Sequence, residues 1–292
     1  LGVIGSSPGN GHPYSWSAIC NGYDPEVMES CGYPSIPRYL ERRSFPEDQL
    51  DGARVTVVWT QDPALSDHIA AAARIPRVVS RLEDMIGQVD AVLLARDDPE
   101  NRMALAKPFL DAGVPLFIDK PLARTRAEAE ALFALERHPG QIFTCSCLRF
   151  LDTLRPTAEQ WTAIGGATHV DAVFFHDWEH YAVHAIEPVL AALPDRGRLL
   201  AKTSLARGRV RTVSVDWENG PITTFTASGT SKVPLRIRYL GPDGILDLAG
   251  TDNFTAFKAA LARFVAILDG RAEVFPKPFV LDVISVLEGC PP

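Results

Sequence analysis

Two stretches of this chain carry side chains of the type and spacing that acid–base chemistry needs. The first is His176-Asp-Trp-Glu-His180-Tyr-Ala-Val-His184-Ala-Ile-Glu187, which holds three of the seven histidines within nine residues. His180, His184 and Glu187 stand four and three residues apart, so a helix starting near His180 carries them on one face. Tyr181 lies one position round from His180 and three before His184. Groups whose protonation can be tuned by neighbours suit a proton relay. A solvated polar face or helix cap competes with that reading, as does a His/His/Glu zinc site. The zinc site needs a third ligand of suitable geometry, and no metal is expected. The second stretch is Ile118-Asp119-Lys120-Pro121 at the end of an apolar run. A lysine at the carboxyl edge of a parallel sheet faces the ligand crevice, and the proline after it keeps Lys120 out of helical geometry. A confined ammonium there can exchange a proton with a substrate hydroxyl or carbonyl. The alternative is a surface lysine beside a turn.

The elements that must position Lys120 alternate strand and helix. Leu1–Gly5, Val55–Thr60, Val89–Ala95, Val114–Ile118 and Gln141–Cys145 are apolar runs without alternation, as strands buried on both faces of a parallel sheet require. Between them, Asp62–Pro63 and Asp98–Pro99 open helices, the latter reaching Gly113, and Ser80–Glu83 and Thr125–Glu128 read as capping boxes. The pattern is α/β, a doubly wound Rossmann sheet over residues 1–148. The loop Gly5-Ser-Ser-Pro-Gly-Asn-Gly-His12 after the first strand is small enough for backbone N–H groups to approach a pyrophosphate. Gly5, Ser6, Ser7, Gly9, Asn10 and His12 are therefore candidate cofactor residues, although Ser7 and Asn10 stand where the usual fingerprint has glycine. At the tip of the second strand Thr60 occupies the place of the ribose-binding acid, followed by Gln61. NAD and NADP both stay open, with NAD favoured because no arginine stands at that tip. Ala95, Arg96, Asp119, Lys120 and Pro121, at strand ends facing the same crevice, complete the candidate set.

After residue 148 the pattern changes. Ala167–Phe175 reads as a strand, His180–Leu193 as a helix despite Pro188, and Leu199–Leu205, Val210–Trp217, Ile222–Ala227, Val233–Tyr239 and Ile245–Leu248 as an antiparallel meander. Val213, Val215 and Trp217 alternate with Ser214 and Asp216, so one face is apolar and the other polar. Residues 149–292 are thus expected to form an α+β domain with a large, mostly antiparallel open sheet for substrate binding and oligomerisation. An amphipathic helix through Phe254, Leu261, Phe264 and Leu268 stops at Gly270, and the final helix is expected to pack back on the first domain.

The chain has 292 residues, 46% hydrophobic and 22% charged, a length that at about 150 residues per domain suggests two domains. Its 29 basic and 36 acidic side chains give a net charge of −7 without a basic run, which argues against nucleic acid and anionic membranes. No apolar stretch reaches the ~18 residues of a membrane span. Cys20, Cys31, Cys145, Cys147 and Cys290 form neither a disulfide framework nor a zinc pattern, and Cys145 and Cys147 face the same way as core residues. The cysteine usage leads to the expectation of a reducing, cytoplasmic compartment, and since the chain opens directly into a strand no signal peptide is expected, with an initiator Met and a few residues allowed for as trimmed.

The order of these features resembles the glucose–fructose oxidoreductase/inositol dehydrogenase family (Gfo/Idh/MocA). That family's Glu-Lys-Pro matches Asp119-Lys120-Pro121, and its Asp-x-x-x-His-x-x-Asp matches His180-x-x-x-His184-x-x-Glu187. The resemblance implies hydride transfer between a nicotinamide cofactor and a secondary alcohol of a sugar or cyclic polyol, with Lys120 and His184 as proton-handling groups, Tyr181 and His180 in support, and a homo-oligomer, dimer or tetramer. The chain departs from the pattern in its degenerate glycine loop, in an insertion between Asn21 and Arg54, in Ala95-Arg-Asp-Asp-Pro-Glu-Asn101 after the fourth strand, and in His180 where the family has an acid. Asp97, Asp98, Glu100, Asp177, Glu179 and Glu187 would make the crevice attractive to a cation, and an amino-sugar of the aminoglycoside type, as in antibiotic biosynthesis, is the expected substrate. Trp16, on the unusual first loop, is a further candidate substrate contact. Two other readings stay in view: a glycosidase that uses bound NAD for transient oxidation and elimination, and a non-catalytic dinucleotide sensor.

Overall fold

The apolar runs of the first half form six parallel strands in a computed structural model that describes residues 1–289. They are β1 (Gly2–Ile4), β2 (Val57–Trp59), β3 (Arg77–Val78), β4 (Val92–Leu94), β5 (Leu116–Ile118) and β6 (Ile142–Phe143), in the order β3-β2-β1-β4-β5-β6. The order reverses between β1 and β4, and in such sheets ligands bind at the carboxyl ends flanking that reversal. The α/β reading holds. The ladders are shorter than the apolar runs because burial continues past them: Ala95, just after β4, is fully buried. β3 carries no apolar run of its own, which is why it has no sequence signal. Cys145 and Cys147 are both buried, but β6 ends at Phe143 and Cys147 begins a 3₁₀ turn, Cys147–Phe150, so they do not share a strand. Cys20, Cys31, Cys145 and Cys147 are all free thiols, and Cys290 lies outside the described residues.

Helices α1 (His12–Asn21), α2 (Pro25–Glu29), α3 (Ser35–Leu40), α4 (Pro63–Ala72), α5 (Pro99–Asp111) and α6 (Arg126–Phe133) connect these strands. The Asp62 carboxylate caps α4 by accepting from the Ala64 N–H at 3.0 Å, and α5 is followed by Gly113 at φ +78°. The expected capping box at Ser80–Glu83 is absent: a single 3₁₀ turn, Leu82–Met85, follows Arg81 without a side-chain cap. α2 and α3 belong to the insertion, whose base is closed by Asn21, which donates to Val55 O at 2.8 Å and accepts from Val55 N at 2.9 Å.

The second sheet contains β7 (His169–Phe174), β8 (Leu199–Arg207), β9 (Val210–Trp217), β10 (Ile222–Ala227), β11 (Arg236–Gly241) and β12 (Gly244–Ala249), in the order β12-β11-β7-β10-β9-β8. It is not a simple meander, because β7 inserts between β11 and β10 and pairs parallel with β10. Turn sequences mark hairpins but carry no information about where a strand from an earlier segment will insert. Val213, Val215 and Trp217 are buried while Ser214 and Asp216 are not, as the alternation requires. The remaining helices are α7 (Ala158–Ala163), α8 (Trp178–Ala191), which lies against β7 and β10, α9 (Asn253–Leu268) and α10 (Lys277–Leu287). α8 starts ahead of His180 because Asp177 caps it, its carboxylate accepting from the His180 N–H at 2.9 Å. Among the described residues, no helix is long and apolar enough to cross a membrane.

The chain divides into two compact units. One comprises Leu1–Ala123, Ala127–Cys145 and Phe257–Pro276, and the other comprises Arg124–Arg126, Ser146–Ala256 and the described residues from Lys277 onward.

Candidate functional site

In the first unit Lys120 follows β5 and is only 7% exposed, and its peptide bond to Pro121 is cis. Beside it Asp119, 1% exposed, is bonded on several sides. Its carboxylate accepts from Asn10 Nδ2 at 2.7 Å and from the Lys120 N–H at 2.8 Å, and pairs with His12 Nδ1 at 2.6 Å. Burial pushes the Asp119 carboxyl up, but the charges of His12 and Lys120 and the hydrogen bonds from His12 and Asn10 outweigh it and hold the group well below the usual carboxylate range. The result is a buried, ionised anion next to the candidate ammonium.

The loop after β1 fits a dinucleotide. A Cβ on Gly5 would meet Pro13 Cγ at 2.3 Å, so only glycine lets this strand end approach the start of α1 so closely. A Cβ on Gly11 would meet Tyr33 and Ile36 of the insertion at 2.7 Å. Gly9, by contrast, is exposed at φ +83° with open space around its Cβ position, while at the start of α1 the His12 N–H donates to Asn10 Oδ1 at 2.8 Å and Pro13 has no N–H. The open backbone at Gly9 is where a phosphate can approach this loop. The loops after β1, β2 and β4 are joined by side chains: Gln61 Nε2 donates to Ser6 O at 2.9 Å, Arg96 Nη1 to Gln61 Oε1 at 2.7 Å, and Ser7 Oγ to Asp97 Oδ1 at 2.5 Å. An arginine therefore does reach the β2 tip, carried by the end of β4 rather than by β2 itself. Its guanidinium also pairs with Asp98, whose carboxyl burial pushes up but which hydrogen bonds from Arg96 and Asn101 hold below its usual range. Thr60 is engaged within its own turn, by Asp62 O at 2.6 Å and Ser66 Oγ at 2.9 Å. Trp16, 2% exposed, stacks between His12 and Phe117 at 4.9 and 4.7 Å and backs His12 from within the core.

In the second unit α8 presents its side chains at graded depth. His180 is exposed and its ring pairs with Asp177 at 2.7 Å; Tyr181 and His184 are half-buried, with ring centroids 5.7 Å apart; Glu187 is 4% exposed. The three positions of one helical face thus do not act as one cluster. His184 Nδ1 lies 2.8 Å from Ser146 Oγ, and the Ser146 N–H donates to Glu187 Oε2 at 2.6 Å. Arg149 Nη1 donates to Glu187 Oε1 at 2.9 Å. Burial raises the Glu187 pKa against the opposing pull of Arg149 and the Ser146 N–H. Glu179 pairs with Arg211 at 3.2 Å. Five of the acids named for a cationic substrate, Asp97, Asp98, Asp177, Glu179 and Glu187, are bonded to protein partners. His176, exposed at φ +70°, is held by reciprocal backbone bonds with Gly229 at 3.1 Å and stacks on Tyr181 at 4.3 Å. A non-glycine residue kept in that conformation is a marker of functional sites.

Ser146 and Arg149 escape a sequence reading because their partners stand on α8, far along the chain. Among the described residues no group of three His, Cys, Asp or Glu side chains is arranged to hold a metal ion.

Residues 35–146 match the model of an oxidoreductase family with an NAD-binding Rossmann fold, GFO_IDH_MocA. No curated protein sequence matches the chain. Solved structures with the same fold include the UDP-N-acetylglucosamine 3-dehydrogenase GnnA from Acidithiobacillus ferrooxidans, with TM-score 0.68 and 16% identity over 98% of this chain and 94% of that one. The myo-inositol dehydrogenase from Lactobacillus casei in complex with NAD(H) and myo-inositol gives TM-score 0.72 and 14% identity over 98% and 91%. GenD2 from gentamicin A biosynthesis in complex with NAD gives 0.71 and 16% over 98% and 92%.

Proposed function

We propose, on the premise that this chain is a member of the NAD-binding oxidoreductase family over residues 35–146, that it oxidises a secondary ring hydroxyl of a sugar or cyclic polyol to a ketone. The observation that carries the reading is Lys120: a nearly buried ammonium at the carboxyl end of β5, beside the ionised Asp119. Bound NAD supplies the hydride acceptor. Lys120, as the neutral amine once its own proton has passed to solvent, takes the hydroxyl proton as the carbon–hydrogen bond breaks, and Asp119, fixed by Asn10 and His12, balances the ammonium that results. Ser6, Ser7 and Gly9 offer backbone to the pyrophosphate, Gly5 lets the loop lie close against α1, and Gln61 with Arg96 offers the polar groups nearest the β2 tip. In the second unit His184, oriented through Nδ1 by Ser146, is the substrate-orienting group, with Tyr181 beside it.

Amino-sugars of the aminoglycoside class are the narrower reading. It is supported by the likeness to GnnA and GenD2 and no longer by free acids, since the protein itself engages them. Self-association is assigned to the open face of the second sheet, where Leu205, Val210, Ile222 and Ile245 are exposed; Leu205→Asp should then lower the mass seen by light scattering.

The test is NADH formation with a panel of inositols, sugars, and amino-sugars beside their N-acetylated counterparts. Stoichiometric NADH is expected with at least one ring alcohol. Turnover of a glycoside without net NADH would replace the reading by transient oxidation and elimination, and NAD binding without any turnover would replace it by a sensor. Turnover of inositols or plain sugars with none of any amino-sugar, free or N-acetylated, would remove the narrower reading.

A further inference from the structure

Arg102, on α5, is the largest fully buried side chain of the described residues. Its guanidinium bonds to carbonyls. Nη1 donates to Pro121 O and to Leu122 O, the latter at 2.9 Å, and Nη2 donates to Arg96 O at 2.9 Å. Arg96 follows β4, whereas Pro121 and Leu122 follow β5, and these strands are neighbours, with Leu94 opposite Ile118. One planar cation therefore bridges two loops at the carboxyl edge of the sheet, one of them the loop that carries Lys120.

We infer that Arg102 is a positioning residue for Lys120, fixing the backbone of the Lys120–Leu122 turn by clamping its carbonyls to the β4 loop. Buried loop carbonyls need donors, and a rigid fork can serve three carbonyls where a methylene chain would orphan all of them. Nε has no hydrogen-bond partner, so the side chain is set for the carbonyls rather than for its own full satisfaction. Burial lowers its pKa to about 10, against the opposing fields of Asp119, Asp98, Asp97 and Glu100, and the group stays a cation at neutral pH. The inference rests on the reading of Lys120 as the acid–base group, and the test separates the two.

Arg102→Met and Arg102→Lys are compared with the parent and with Lys120→Met. A short pulse of acetic anhydride, resolved by peptide mass spectrometry, reports the reactivity of Lys120 relative to the exposed Lys107, with no need for substrate. In Arg102→Met the relative acylation of Lys120 should rise about fivefold or more as the turn loosens. Turnover with the best alcohol of the panel should fall by about tenfold or more, with KM and the Kd for NAD within about threefold, the split expected when a reacting group is displaced. Arg102→Lys, which keeps the charge but not the fork, should lie between parent and Arg102→Met in both readouts, and it decides alone if Arg102→Met does not fold. Unchanged Lys120 acylation in a folded variant overturns the inference. So does raised acylation with full turnover while Lys120→Met is inactive. Raised acylation with Lys120→Met still active upholds the clamp and sinks the acid–base reading instead.

Discussion

Each unit buries one carboxylate beside its candidate proton-handling group, and the two carboxylates are displaced in opposite directions. Asp119, next to Lys120, receives Asn10, His12 and a backbone N–H and stays ionised far into acid. Glu187, joined to His184 through Ser146, has one arginine and one backbone N–H, and burial wins. Burial alone raises both groups. The number and charge of the partners decide the sign. The lesson is that the first unit builds a fixed anion around its lysine, whereas the second holds a buried pair whose attraction does not fully offset the cost of removing it from water.

The largest effect should come from the group the first unit is built around. Lys120→Met is expected to lower kcat by about 100- to 10,000-fold, the range for loss of a general acid–base group. NAD affinity, measured by calorimetric titration, should be nearly unchanged. His184→Ala, in the unit with the weaker lock, should cost less, roughly tenfold to 100-fold in kcat, as loss of orientation does. A reversed ranking would move the acid–base role to the second unit.

Next in size is the buried pair. Arg149→Met strands Glu187 and should destabilise the protein by about 3–5 kcal/mol in denaturant melts, whereas replacing both members, Arg149→Met with Glu187→Leu, should recover most of that loss. If the double variant is as unstable as the single one, the pair contributes more than its desolvation costs and the contrast with Asp119 fails.

The opposite displacements also predict opposite pH dependences. Asp119 has a folded pKa below its unfolded value of about 3.9, so its stabilisation is present above that value and lost as pH falls through the folded pKa. Asp119→Asn should therefore trail the parent by about 1–3 kcal/mol at pH 7, with the gap closing in acid. Glu187 has a folded pKa above its unfolded value of about 4.3, so its contribution is complete below that value and lost as pH rises through the folded pKa. The stability difference between parent and Glu187→Gln should consequently shift toward the variant as pH rises. Parallel curves for the two substitutions would remove the asymmetry.

What is legible in the sequence follows the same division. Lys120 is readable because strand, acid, lysine and proline lie in one short string, and a strand end gives the string its direction. The α8 histidines are readable by spacing, but spacing assigns them one face and cannot distinguish the exposed His180 from the half-buried His184, a matter of how deep each turn of the helix lies. Arg102 has no signal because carbonyls, which every residue carries, are its partners. The parallel sheet is legible from runs buried on both faces, while the position of β7 in the second sheet is not, since its pairing with β10 spans residues 169–227 and leaves no local mark.

The smallest expected effect tests the link between His184 and its buried neighbours. Ser146→Ala keeps the backbone N–H that donates to Glu187 and removes only the hydroxyl at 2.8 Å from His184 Nδ1. Stability should fall by about 0.5–1.5 kcal/mol, the net worth of one hydrogen bond. The imidazole then loses the partner that fixes its ring and tautomer, so kcat should fall about threefold to tenfold with little change in NAD affinity. Ser146→Thr, which restores a hydroxyl, should recover part of that loss. If Ser146→Ala leaves turnover untouched while Asn10→Ala, which takes one donor from Asp119, lowers it, orientation matters around Lys120 alone and the second unit contributes shape rather than a positioned histidine.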